Sequence, residues 1–523
     1  MGSRKPTGIA ERPEQLREPI VRAEGGTPTE RHLAQLAAKS FLNLWSYPTP
    51  FRNQKQSGKG DGKELCDLLV VCGQHVIIFS EKTITWPSGD VGLAWRRWAK
   101  RALRDSAKQA KGAERWIAEH PDRIFLDRNC TVPFPIGLPS PDSGLVHRVI
   151  VARGASEACK EFRGDPSGRI VIRPTILGSG HWSENAEPFA IGDIDPSGSF
   201  VHVIDEDALG IVMRELDTIR DFTDYLEKKA SFVRSGRLLE AHGEENLLAY
   251  YAIRINEHGD HDFVSSSERG NQIKIDRHRY RRLSEDDRYI AKKVADKISY
   301  LWDGLIETFT GPMLDGTSIV LDGYDFDLKK SECGVRYMAL EHRFARRCHG
   351  EAVRSALEIG ATTDRFFRLM KGEAGSKDSE TAFFVLTLKY LNWMEEKGGY
   401  EHYRRKRAEC AQVYAKGVLE RFPHLKRVVG VSCEPPNQGR GGSEELVYAE
   451  QADWSDEARR AIREDCKTYG VLQKGMKETP WQGQEFPDAE PFVIDEGRVE
   501  PRHFKMNRKQ RRAAAARARR AKD

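Results

Sequence analysis

The stretch GKELCDLLVVCGQHVIIFSEK, residues 62–82, decides how this chain reads. Two short apolar runs, 68–72 and 76–79, are rich in β-branched residues and separated by Gly73-Gln74-His75. Such runs predict two buried strands joined by a tight turn, a β-hairpin. Polar residues gather where the hairpin opens: Glu64 and Asp67 before the first strand, Ser80, Glu81 and Lys82 at the end of the second. In an antiparallel pair those ends are neighbours, so Asp67 and Lys82 come within side-chain reach. A carboxylate and an ammonium group are costly to desolvate there and need a partner, a metal or water. Carboxylate oxygens bind Mg2+ or Mn2+. A metal so held lowers the pKa of bound water and stabilises charge developing on a phosphodiester. The plainer alternative is a cross-strand ion pair that contributes little.

Upstream, Thr29 reads as the N-cap of a helix whose Leu33, Leu36, Ala37, Phe41 and Leu42 share one face. Glu30 in its first turn either answers the helix dipole or belongs to a site. Residues 45–52, interrupted by Pro48 and Pro50, suit an edge strand. Downstream, residues 93–119 predict a long helix. It carries Arg96, Arg97, Lys100, Arg101, Arg104, Lys108, Lys111 and Arg115 against Asp105, Glu114 and Glu119. A charge run is ordinarily a solvated face. An excess this large, directly after the hairpin, also suits contact with phosphates. Strands follow at 146–153, 170–177 and 199–204, with a polar insertion at 178–195. Helices begin at Asp205 or Asp207 and at Asp217 or Thr218. An α/β domain over residues 28–235 accounts for these elements.

The order helix-Glu30, strand-Asp67, strand-Lys82, helix-Gln109 resembles the PD-(D/E)XK nuclease superfamily, the restriction-endonuclease-like fold that includes nuclease-related domains. The resemblance covers residues 29–153 and extends toward 233. It implies a mixed-sheet core and a Mg2+- or Mn2+-dependent nuclease. Its metal ligands would be Asp67, Glu81 and Glu30, with Lys82 as the motif lysine and Gln109 completing the catalytic set. Ser80 stands two residues before Lys82, where the motif carries an acid. Glu81 takes the metal role if the strand end bulges; otherwise strand alternation turns it to the opposite face. The alternative is a catalytically inactive nucleic-acid-binding or scaffold protein on the same fold. A role in defence against foreign DNA follows by fold-level analogy alone.

Beyond the hairpin domain the pattern changes. Residues 236–424 read as a mainly α-helical domain, with helices at 238–255, 284–308, 338–358, 363–371, 379–396 and 401–421. This half would serve recognition or assembly, through a homo-oligomer or a protein partner. Residues 425–473 read as a small β-β-α unit, an α+β appendage. Residues 474–504 read as a linker and 1–27 as a disordered leader. The net charge of +5 hides an asymmetry. Nine basic residues between Lys505 and Lys522, Arg511 and Arg512 among them, face Asp523 alone. The tail 505–523 therefore carries +8 and the other residues −3. Such an arm suits nucleic acid, DNA more than RNA. Nine scattered cysteines without a CxxC pair suggest a reducing compartment and no zinc-finger pattern. There is no apolar run of membrane-spanning length and no secretory h-region, so a cytoplasmic protein is expected. His258, His261 and His278 fall in a polar segment that reads as an exposed loop.

Overall fold

The computed structural model describes residues 16–55, 62–256, 259–263, 272–319, 327–372, 379–438, 443–472 and 483–487. The basic tail, with Arg511 and Arg512, lies outside them.

The predicted hairpin is the centre of a five-stranded mixed sheet. Strands Leu68–Cys72 and His75–Thr83 pair antiparallel around a two-residue turn, with Cys72 opposite His75. Gly73 supplies the positive φ (61°) that such a turn requires. Ser46–Pro48 covers one edge, as its prolines suggest. On the other side the hairpin meets Leu145–Arg153 and then Val201–Asp205, both in parallel. Successive residues of one strand face different helical layers. Phe79 stacks toward Phe41 of the first helix and Phe222, whereas Ser80 meets Gln109 on the basic helix. The rings beneath the basic helix, Trp95, Trp98 and Phe189, are fully buried. Each contributes on the order of 2–3 kcal/mol by leaving water.

The first helix, Pro28–Phe41, is capped by Thr27 rather than Thr29. Thr27 and Glu30 close a reciprocal capping box, satisfying two amides that would otherwise lack partners. The basic helix runs from Val91, capped by Asp90, to Glu119. The segment Lys100–Arg104 within it is a π-helical turn. That turn shifts the phase of the side chains midway along the helix. Residues 45–52 form two strands instead of one. Phe51–Asn53 leaves the large sheet and pairs with Gly62–Glu64 and Ile124–Phe125. The caps Asp205 and Thr218 are as the sequence implies.

Three expectations need correction. The polar insertion at 178–195 holds a short 3-10 turn, Gly178–Trp182, and a strand, Ala190–Asp193. Leu238–His242 is a strand rather than helix. It joins Val171–Leu177, Ala190–Asp193 and Ile273–Ile275 in one sheet, so chain beyond residue 235 completes the first α/β unit. Residues 363–371 and 379–396, expected to be helical, hold the strands Arg365–Lys371 and Thr381–Leu388. These pair with Arg427–Cys433 and Glu445–Glu450 in a four-stranded sheet. The segment 236–424, expected to be mainly α-helical, therefore also contributes strands to two sheets, and the strands of 425–473 share one of those sheets with it. The physical reason is burial on both faces: TAFFVLTL is a continuous apolar run, and periodicity does not distinguish a buried strand from a buried helix. The chain as a whole is mixed α/β.

Helices Ser299–Asp315 and Arg343–Gly360 fasten the two halves through buried charge. Arg343 Nε donates to Asp217 Oδ1 at 2.8 Å and its Nη1 to Asp303 Oδ2 at 2.7 Å. Arg346 Nη1 reaches the other oxygen of Asp303 at 2.6 Å. No helix among the described residues is long and apolar enough to cross a membrane.

Candidate active site at the mouth of the hairpin

Asp67 is buried just before the first hairpin strand. Its Oδ2 accepts the backbone N–H of Glu81 at 2.7 Å, which pins the carboxylate over the end of the neighbouring strand. Glu64 arrives from the small sheet, because the chain turns from Gly62–Glu64 directly into Asp67. The two carboxyl groups lie close enough to act on each other's protonation. Glu64 reaches solvent, yet lost hydration and then the adjacent Asp67 charge push its carboxyl up to about 7. Burial also raises the Asp67 carboxyl, against the pull of the Glu81 amide and the positive charge of Lys82.

Lys82 acts on both groups electrostatically, but it makes no ion pair with Asp67 or any other carboxylate among the described residues. The simple cross-strand ion pair is thus absent. Glu30 adds negative charge felt by Glu64, Asp67 and Glu81. One of its own oxygens serves the capping box.

Glu81 stays within electrostatic reach of Asp67 and Glu30, but its carboxylate is paired with Arg153. The pairing of its strand with Leu145–Arg153 runs without a break from His75 to Thr83, so no bulge rotates it. It faces away from Ser80 and Lys82, where its carboxylate forms a buried ion pair with Arg153. Burial raises the Glu81 carboxyl, and Arg153 opposes that shift. The second oxygen, Oε2, is buried and has no hydrogen-bond partner among the described residues. On the opposite face, Ser80 Oγ donates to Gln109 Oε1 at 3.4 Å, which brings Gln109 against the strand end that carries Lys82.

The cationic strip borders this face. Arg97, Lys100, Arg101 and Lys108 are exposed, and Arg96 and Arg104 are partly so. Arg104 pairs with Asp105 at 3.0 Å and Lys111 with Asp195 at 3.1 Å. Arg96, Arg97, Lys100, Arg101 and Lys108 make no ion pair among the described residues, which leaves their charge to solvent or a ligand.

Sequence reasoning did not assign Glu64 or Arg153 to the site. Glu64 was visible as a charge at the hairpin mouth, but its approach depends on a turn between two sheets. Arg153 has no local signal, since its contact with Glu81 spans 72 residues. Of the three histidines of the polar segment, His261 is not exposed as expected: it meets the Glu485 carboxylate at 3.0 Å, which raises its pKa. Compared with family models, curated proteins and solved structures, the chain finds no match.

Proposed function

We propose that the first α/β unit is a restriction-endonuclease-like core and a divalent-metal-dependent nuclease acting on DNA. The observation that carries this reading is the Glu64–Asp67 carboxyl pair beside Lys82, with neither carboxylate in an ion pair among the described residues. Support comes also from the strand order, from helices on both sheet faces and from the cationic strip along Val91–Glu119. Asp67 and Glu64 would hold Mg2+ or Mn2+, with Glu30 adding charge nearby. The metal would supply acidified water and a counter-charge for the phosphodiester. Lys82 holds a phosphate oxygen or orients the attacking water. Ser80 and Gln109 position the lysine-bearing strand end. The exposed arginines and lysines follow the phosphate backbone.

One observation favours a second reading, a nucleic-acid-binding protein without cleavage. Ser80 offers no carboxylate, and Glu81 is held by Arg153. Incubation of supercoiled DNA with the protein and Mg2+ or Mn2+ separates the two. The nuclease reading expects nicking that falls by about 100-fold or more in Asp67→Ala, Glu64→Ala and Lys82→Ala. Salt-sensitive binding without nicking would select the second reading. If the wild type neither nicks DNA nor binds it in a salt-sensitive way, neither reading stands.

A further inference from the structure

The opposite end of the same sheet holds a second cluster. His75 opens the second hairpin strand and His147 lies in the neighbouring parallel strand, two residues beyond the partner of His75. Both therefore project from one face. Their rings stack with centroids 5.9 Å apart and an interplanar angle of 16°. Above them, helix Ile219–Arg234 brings Glu227, whose Oε1 lies 3.8 Å from His147 Nε2. One donor atom from each of His75, His147 and Glu227 lies within 4.8 Å of the others.

We propose that these three residues bind a divalent transition metal with the coordination chemistry of Zn2+. A second observation points the same way. Both histidines are 5% exposed, and His75 Nδ1 and His147 Nε2 are buried without a hydrogen-bond partner among the described residues. Buried ring nitrogens normally find a partner, and leaving one unmet costs about 1–3 kcal/mol. A metal meets two of them at once.

The chemistry of the set fits. Two imidazoles and one carboxylate, with a fourth position open, are a known donor set for zinc. Bond lengths of about 2.0–2.1 Å require donors about 3.4 Å apart in a tetrahedron. A tetrahedral metal therefore requires the three donors to close in from their present separations, with the half-exposed Glu227 side chain turning toward the two rings. The neighbouring cations are each matched by an acid: Arg220 by Asp224 at 2.8 Å, Lys228 by Asp262 at 2.8 Å and Lys229 by Glu244 at 2.6 Å. The fourth position faces a cavity of about 300 Å³ that His75 and Glu227 help to line. Solvent or a small anion would complete the coordination there.

This site stands apart from the carboxylates at the hairpin mouth. His75 and Lys82 lie near the two ends of one strand, about 23 Å apart at about 3.3 Å per residue. The test uses the untagged full chain in an Asp67→Ala, Glu64→Gln background, stripped of metal by chelation. Zn2+ is titrated against a chromophoric chelator, and Co2+ is added to a second sample. The expected result is one tight Zn2+ per chain, Co2+ d–d bands of four-coordinate intensity and a rise in Tm. Glu227→Gln, a surface change that spares the fold, should weaken Zn2+ by at least about tenfold, and His147→Gln by more. The proposal is overturned if no stoichiometric Zn2+ binds in this background, or if Glu227→Gln leaves the affinity unchanged.

Discussion

Replacing Arg153 by Met tests how the hairpin mouth divides its charges. The Glu81 side chain is 2% exposed and the Arg153 side chain 12%, so their ion pair is largely dry. Breaking a buried pair from one side costs about 3–5 kcal/mol, because the remaining charge has neither water nor partner. Arg153→Met should therefore lose most of that amount, seen as a drop in Tm of about 6–20 °C at about 2–4 °C per kcal/mol. The loss should be largest at high pH. Burial already raises the Glu81 carboxyl, and without Arg153 it rises further. As pH falls the group takes up its proton, the unpaired charge disappears and the deficit shrinks. The double variant Glu81→Gln, Arg153→Met replaces both charges and should regain most of the stability, since removing a buried pair whole is often neutral. Urea unfolding followed by fluorescence of Trp95 and Trp98, beneath the same sheet, gives the four corners of the cycle. A loss below about 1 kcal/mol, or a double variant as unstable as the single, would refute the reasoning. The same double variant bears on chemistry. If it folds and still nicks DNA, Glu81 is structural. If it folds and fails to nick, Glu81 is a metal ligand and the assignment to Glu64 is wrong.

Other outcomes follow from the same geometry. Glu64 keeps its proton up to about 7, and Mg2+ must displace that proton, so calorimetric Mg2+ affinity should climb with pH through about 7 and then level off. Glu64→Gln should abolish that climb. Without metal the sign for stability is opposite: an acid whose folded-state pKa is raised makes stability fall from its unfolded value, about 4.3, up to about 7, as pH-dependent unfolding would show. Replacing Arg97, Lys100, Arg101 and Lys108 by Gln should flatten the salt dependence of DNA binding by about 0.9 in log–log slope for each charge that touches phosphate. Gly430→Ala should destabilise the second sheet by about 1–3 kcal/mol in thermal unfolding, because a Cβ there would lie 2.0 Å from the Phe384 ring.

Local chemistry alone determined the hairpin at 68–79 and the helix rich in Arg and Lys, and it narrowed two helix caps to Asp205 or Asp207 and to Asp217 or Thr218. These features rest on side-chain period and on contacts within a few residues, which sequence states directly. Tertiary structure decided the rest. TAFFVLTL became a strand because partners on both sides, Arg365–Lys371 and Arg427–Cys433, offered it a sheet. Glu64 came to Asp67 because the chain crosses there from a small sheet to a large one. Glu81 was taken by Arg153 because an unbroken parallel register turned it away from Lys82. His75, His147 and Glu227 carry no spacing that marks a site, since two strands and a helix far apart in the chain bring them together. Register and packing set those meetings, and both depend on which surfaces lose water together.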